Sequence, residues 1–222
     1  MTRSEIHVLA TGGTIASTAK EGGAAPELDG ETLVEAVPDL ADLADLTVTD
    51  VADSPGFDVQ LSTVDSLQEH VADADNTDGI VVTHGTDTLE ETAYALDLLT
   101  DGPPVVCTGA QRRPDERSAD GPANIHTAVR AAVTDRLQAA GGAYVAFDDE
   151  LHAARDVTKA HTSALGTFRS PDTGPVARAM RDGFRWYREA GSRSADLSAV
   201  DPELSVPIIV SGTGVSGEQD RR

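Results

Sequence analysis

Residues 79–99 read GIVVTHGTDTLEETAYALDLL, and this stretch decides the fold. Gly79-Ile80-Val81-Val82 is short, β-branched and apolar, the pattern of a parallel strand buried on both faces. A helix is predicted from about Leu89 to Leu99. A strand, a turn and a helix in that order are the repeating piece of an α/β protein. Ligands of open α/β sheets bind beyond the carboxyl ends of the strands, and THGTDT, residues 83–88, falls at that end.

The same reading extends outward in both directions. Ile6-His7-Val8-Leu9-Ala10 is a second buried-strand run, followed by TGGTIA at residues 11–16. A helical pattern over Glu31 to Leu43 is interrupted by Pro38, and a short strand is predicted near Leu46 to Val51, ending in a loop at Asp53-Ser54-Pro55-Gly56. An amphipathic helix is predicted from Thr63 to Ala74, a strand around Cys107, a helix from about Pro122 to Leu137, and a strand from Ala143 to Phe147. This alternation predicts an α/β domain over residues 1–190, built on a doubly wound, largely parallel sheet.

The segment from Asp148 to Tyr187 has a different pattern. Asp182-Gly183 is a hairpin turn signal, with Phe184 and Trp186 alternating against Arg185 and Tyr187. Arginines from Arg169 to Arg193 make it locally basic, which reads as a solvated hairpin face. Residues 191–205 have the Ser, Ala, Asp and Pro composition of a linker. Residues 206–222 hold one strand-like run and a glycine turn, too little for a domain core.

Composition narrows the function classes. The chain has 222 residues, 39% hydrophobic, and a formal net charge of -21. Such an acidic chain is a poor partner for nucleic acid or an anionic membrane. No apolar run approaches the roughly 18 residues of a membrane span, and the amino terminus leads directly into the first strand, so a cytoplasmic protein is expected. The acidity, the 4% aromatic content and the near absence of lysine read as adaptation to high salt, where screening shortens surface repulsion. A single cysteine, Cys107, excludes an internal disulfide and is assigned to packing.

Lysine scarcity singles out Lys159. Of 17 basic residues only Lys20 and Lys159 are lysines. Arginine stays protonated and cannot shuttle a proton, whereas lysine can. TGGT lacks the spacing of a dinucleotide or phosphate loop. Thr88 with Glu91 fits a capping box, and His84, without a second ligand at metal spacing, is assigned to packing or hydrogen bonding. Thr86 and Asp87 remain unexplained by structure, at a strand-to-helix turn where amides converge. A threonine hydroxyl attacks an acyl carbon only when a base takes its proton. A lysine can be that base when burial lowers its pKa from about 10.4, and a neighbouring carboxylate works in the opposite sense.

Taken together, TGGTIA (11–16), HGTDTLEETAY (84–94), TGAQR (108–112), SADGPAN (118–124) and RDVTK (155–159) resemble the bacterial-type L-asparaginase family, in that family's order and with similar spacing. The resemblance covers residues 6 to about 187. It implies that Thr14 is the acylated nucleophile and that Thr86, Asp87 and Lys159 form a group that relays protons and activates water. It also implies substrate binding by Ser54, Thr86, Asp87 and Ala110, with Asp87 taking the α-ammonium and Ser54 the α-carboxylate. The products are L-aspartate and ammonia, L-glutamine is a second candidate substrate, and no cofactor or metal is expected. A homo-oligomer is implied by the family.

Three departures accompany the resemblance. The family's loop tyrosine is missing between Ala16 and Glu31, where Ala24 or Ala25 takes its place. Pro55 follows Ser54 in place of a polar residue. The second, smaller α/β domain of the family is mostly missing, so a truncated or internally deleted chain is expected. The alternative reading is a catalytically silent family member that binds aspartate, asparagine or a partner chain. A protein supplying ammonia for transamidation on tRNA is a further variant, disfavoured by the lack of an extra amino-terminal domain.

Overall fold

β1 spans Ser4–Gly12 and is buried from Val8 onward in a computed structural model that describes residues 3–20, 23–74, 76–191, 195 and 197–199. The chain continues through β2 (Ser17–Lys20), β3 (Gly23–Pro26), α1 (Gly30–Glu35), α2 (Leu40–Leu43), β4 (Ala44–Ser54), α3 (Leu61–Ala72), β5 (Gly79–Thr83) and α4 (Leu89–Leu99). It then forms β6 (Val105–Thr108), α5 (Gly121–Ala132), α6 (Asp135–Ala140), β7 (Ala143–Phe147), β8 (Glu150–Ala153), β9 (Thr158–Lys159), β10 (Phe168–Arg169), β11 (Ala177–Met180) and β12 (Gly183–Trp186). The expected linker over 191–205, apart from residues 191, 195 and 197–199, and the expected remnant over 206–222 lie outside the described residues.

Eight strands form one sheet in the order β12-β11-β8-β7-β6-β5-β1-β4. From β4 to β7 neighbours are parallel, and β8, β11 and β12 extend the sheet antiparallel. The parallel part is doubly wound as the sequence predicts. Chain direction across the sheet reverses at β1, which has β4 on one side and β5 on the other. The crevice above β1 and β5 is therefore the topological switch point, where such sheets bind ligands.

Two-sided burial explains why the strands lack polar alternation. Ile80, Val82, Val105, Cys107 and Val145 pack with Leu67 and Val71 of α3 and Leu89, Ala93 and Leu96 of α4. Val81, Val106 and Tyr144 face the other way, toward Leu33, Leu40, Ile125, Ala128 and Leu137. Burying each large aliphatic side chain contributes about 1.5–3 kcal/mol. Burial also raises the Cys107 thiol pKa to about 12, so it packs as a hydrophobe.

The break expected at Pro38 in the helical pattern over 31–43 is present, because Pro38 has no N–H to donate and the backbone restarts at Leu40. Three other local expectations are corrected. The helix expected over 122–137 also divides: Thr134 turns extended, and its side chain caps α6 by accepting from the Leu137 amide. The segment expected as a loop after Ala16 is the β2–β3 hairpin, paired from Ser17–Pro26 to Lys20–Gly23. In the β11–β12 hairpin, Gly183 already pairs with Met180, so the turn is Arg181-Asp182 and Gly183 supplies a φ of 136°.

Candidate active site

The site begins with a junction of backbone. β1 ends in Gly12 and Gly13, whose φ values of 90° and 84° favour glycine. The β1–β4 register shifts after the Ala10–Asp50 pair, which sets Ser54 opposite Gly12. The Gly13 amide then donates to the Ser54 carbonyl at 3.0 Å. A Cβ on Gly13 would lie 2.4 Å from the Gly85 Cα, and one on Gly85 would lie 2.2 Å from the Gly56 Cα. The loops after β1, β4 and β5 thus touch main chain to main chain, leaving no room for side chains between them.

From this junction the candidate residues project. Thr14 opens a single 3-10 turn, Thr14–Ala16, and the Ser17 hydroxyl steadies that turn by donating to the Gly13 carbonyl at 2.7 Å. Half-buried Thr14 and exposed Asp87 line one cleft of about 260 Å³, with Gly13, Ser17, Pro55 and Gln111 also on its walls. Thr86 is buried. Lys159 reaches across from β9, and its Nζ donates to Thr86 Oγ1 at 2.8 Å and Asp87 Oδ1 at 2.9 Å. Its side chain is 14% exposed, against 53% for Asp87, so the lysine is enclosed while the carboxylate still fronts the cleft. Among the described residues Thr14 Oγ1 has no hydrogen-bond partner, whereas Thr86 is already paired with an amine. The arrangement brings together a hydroxyl bonded to an amine, a second hydroxyl without a partner among the described residues, and an exposed carboxylate, the groups that nucleophilic acyl transfer draws on.

Other predicted residues fall around this centre. Ser54 lies at the end of β4 beside Gly12, while the cleft wall itself is formed by the next residues, Pro55, Gly56 and Phe57. Ala110 is fully buried in the core and is not among the residues that line the cleft. Ala24, one of the two positions matched to the missing tyrosine, lines the cleft. His84 is buried; its Nδ1 pairs with the Gly85 carbonyl at 2.8 Å and its Nε2 with Thr92 Oγ1 at 3.1 Å. Desolvation lowers its pKa, so it is held as a neutral hydrogen-bonding group. The Thr88–Glu91 capping box does not form: Thr88 makes no side-chain cap, and its hydroxyl donates to the Gly56 carbonyl at 2.6 Å, tying the β4 loop to the β5 loop.

Two residues that sequence reasoning passes over belong to the site. Glu90, half-buried in the first turn of α4, accepts from Thr158 and from the Lys159 amide. Gln111 lines the cleft, and its Nε2 is buried without a partner among the described residues. The signal for Gln111 is its place within TGAQR, directly after Ala110. The SADGPAN string proves to be a clamp for that loop. Asp120 accepts from the Gln111 and Arg112 amides at 3.1 and 2.8 Å, and Asn124 Nδ2 donates to the Gly109 carbonyl at 2.9 Å.

Comparison with known proteins gives a consistent result. The family described as Asparaginase, N-terminal, matches residues 5–191. L-asparaginase 2 of Escherichia coli is 42% identical over 177 residues, covering 77% of this chain and 51% of the relative. L-asparaginase 2 of Bacillus subtilis is 37% identical over 186 residues, covering 80% of this chain and 49% of the relative. Among solved structures, the probable cytoplasmic L-asparaginase from Campylobacter jejuni superposes with a TM-score of 0.80 at 34% identity, covering 88% of this chain and 63% of that one. The chain spans about half the length of the curated relatives it matches. With the motifs in order, the switch-point cleft in place and the family match running through β12, this chain belongs to the asparaginase family and carries its N-terminal domain.

Proposed function

We propose that this site hydrolyses the side-chain amide of L-asparagine to L-aspartate and ammonia through a threonine ester. The observation that carries the reading is the bridge from Lys159 Nζ to Thr86 and Asp87 at the mouth of the cleft that Thr14 lines. Thr14 Oγ attacks the amide carbon, its proton passes to the leaving nitrogen, and ammonia departs. Water then attacks the ester carbon, its proton entering the Thr86–Lys159 relay; as the bond to Thr14 Oγ breaks, the relay returns a proton to that oxygen, which releases L-aspartate and restores the Thr14 hydroxyl. Amide groups of the turn before α4 stabilise the oxyanion in both steps.

Asp87 takes the substrate's α-ammonium, and Ser54 takes its α-carboxylate. L-Glutamine is the competing substrate, since one methylene changes pocket affinity by only about 1–3 kcal/mol; relatives named glutaminase-asparaginase are 33–34% identical to this chain. No cofactor is invoked. The lone buried thiol fits a cytoplasmic setting, the charge of -21 fits high salt, and a homo-oligomer is the assembly we infer from the family. No helix among the described residues is long and apolar enough to cross a membrane.

The test is ammonia release from L-asparagine and L-glutamine, side by side, in molar KCl. Turnover that disappears in Thr14→Ala supports the reading, as does an ester trapped on Thr14 in Thr86→Ala protein. A folded wild-type chain that releases no ammonia from either amide overturns it.

A further inference from the structure

We propose that Glu90 is a positioning residue for Lys159, acting through the peptide that carries the lysine. β9 is two residues long, lies outside the eight-stranded sheet and pairs with β10. β10 is fixed to the core by Phe168, whose ring sits 4.9 Å from that of Phe147. β9 itself is fixed by Glu90. Its Oε1 accepts from Thr158 Oγ1 at 3.2 Å, and its Oε2 accepts from the Lys159 amide.

The two ends of Lys159 are therefore held by one short segment. Nζ goes to Thr86 and Asp87, and the backbone N–H goes to Glu90, only three residues beyond Asp87. Lysine has a long flexible stem and a compact charge. Holding its backbone end keeps Nζ in reach of Thr86 without a search through rotamers, the kind of preorganisation that sets rate. An acid in a helix's first turn could act merely on the helix dipole. The neighbouring Glu91 occupies that role from an exposed position, whereas both Glu90 oxygens are spent on β9. A carboxylate that accepts from a main-chain amide also forms a stronger bond than a neutral acceptor.

The catalytic arm of the test rests on the function proposed above, and a second arm does not. Lys20 and Lys159 are the only lysines in the chain, so protein labelled with 13Cε-lysine gives two ε-methylene signals in an NMR spectrum, assigned with Lys20→Arg. We expect the two Lys159 ε-protons to be resolved from one another in wild type, because the side chain is held. They should merge in Glu90→Ala and stay resolved in Glu90→Gln, whose carboxamide oxygen still accepts from the Lys159 amide. In turnover, kcat should fall on the order of 10- to 100-fold in Glu90→Ala with KM little changed, and Glu90→Gln should recover most of it. Thr158→Val, which removes one of the two bonds, should fall between them. Glu91→Gln, with the same change in charge, should move neither readout. A folded Glu90→Ala protein with resolved Lys159 protons and wild-type kcat overturns the proposal; if that variant fails to fold, a Thr158→Val protein unchanged in both readouts does the same. Wild-type protein that shows the NMR pattern but no turnover supports the tether and overturns the assigned reaction instead.

Discussion

Gly13 and Gly85 meet backbone to backbone, so that a Cβ on Gly13 would sit 2.4 Å from the Gly85 Cα. On the far side, Gly85 meets Gly56 in the same way. Gly85→Ala must push two loops apart, a form of overpacking that costs about 1–3 kcal/mol and sometimes more. Because those loops carry Thr86 and the Pro55–Phe57 wall of the cleft, turnover should fall further than stability does. Thermal unfolding and ammonia release on the same preparation test this, and wild-type values for both would show that the junction tolerates a methyl group.

Lys159→Arg separates charge from proton transfer. Arginine can still pair with Asp87 but remains protonated throughout. A fall in kcat of about 10²–10⁴-fold, the usual contribution of a general acid–base group, is expected with KM nearer to wild type. Steady-state kinetics on both amides would check it. A variant retaining wild-type kcat would remove lysine from the proton relay.

Asp87→Asn should leave stability almost untouched, since its ion pair with Lys159 involves a carboxylate side chain that is 53% exposed, and such pairs are worth about 0–1 kcal/mol. The loss should appear in KM for amino-acid amides, because the ammonium loses its counter-charge. Comparable KM values for the variant and wild type would rule out Asp87 as the ammonium site.

Much of this was legible in the sequence, for a physical reason. Ala143–Phe147 matches its expected limits because a strand buried on both faces tolerates no polar break, and Leu89–Leu99 matches because its apolar residues recur at helical spacing between Thr88 and Thr100. Thr86, Asp87 and Lys159 stand out because their motifs leave hydroxyl, carboxylate and amine without local duties. The β2–β3 hairpin was not legible, as Ser17–Lys20 and Gly23–Pro26 are mostly small residues without alternation and their pairing is held partly from outside. The Ala19 amide donates to Asp115 at 2.9 Å. Thr88 misleads because its hydroxyl has a plausible partner three residues away, while its real partner, Gly56, lies 32 residues back. Glu90 escapes notice for the same reason, since its partners are 68 and 69 residues downstream.

His152 gives an acid-side prediction. It is buried on β8, with Nδ1 2.9 Å from Ser170 Oγ. Desolvation, helped by Arg188 and Arg169, lowers its pKa from 6.5 to about 4. The unfolded chain therefore takes up a proton near pH 6.5 that the folded chain refuses until about pH 4. Its contribution is fully present above pH 6.5, is lost progressively as the pH falls to about 4, and amounts to something on the order of 3 kcal/mol. Urea midpoints across this window should fall less steeply in His152→Gln than in wild type. Parallel slopes would mean that His152 is not the group responsible.

The net charge of -21 predicts a dependence on salt. Screening to a Debye length of about 3 Å in molar salt should suppress surface repulsion, and the urea midpoint should rise between dilute buffer and molar KCl. A midpoint that stays level would count against a salt-adapted surface.

The glycine junction also sets the moment at which the site comes into being. Gly13, Gly56 and Gly85 belong to loops that follow the first three parallel strands, so their contact forms only when distant stretches of chain have found one another, a slow class of folding event. An intermediate without the Gly13–Gly85 contact does not seat the Thr14 turn against the loop that carries Thr86, so catalysis should return in refolding after secondary structure, with the closing of the sheet's centre. Recovery of activity would then serve as a clock for long-range order in this domain.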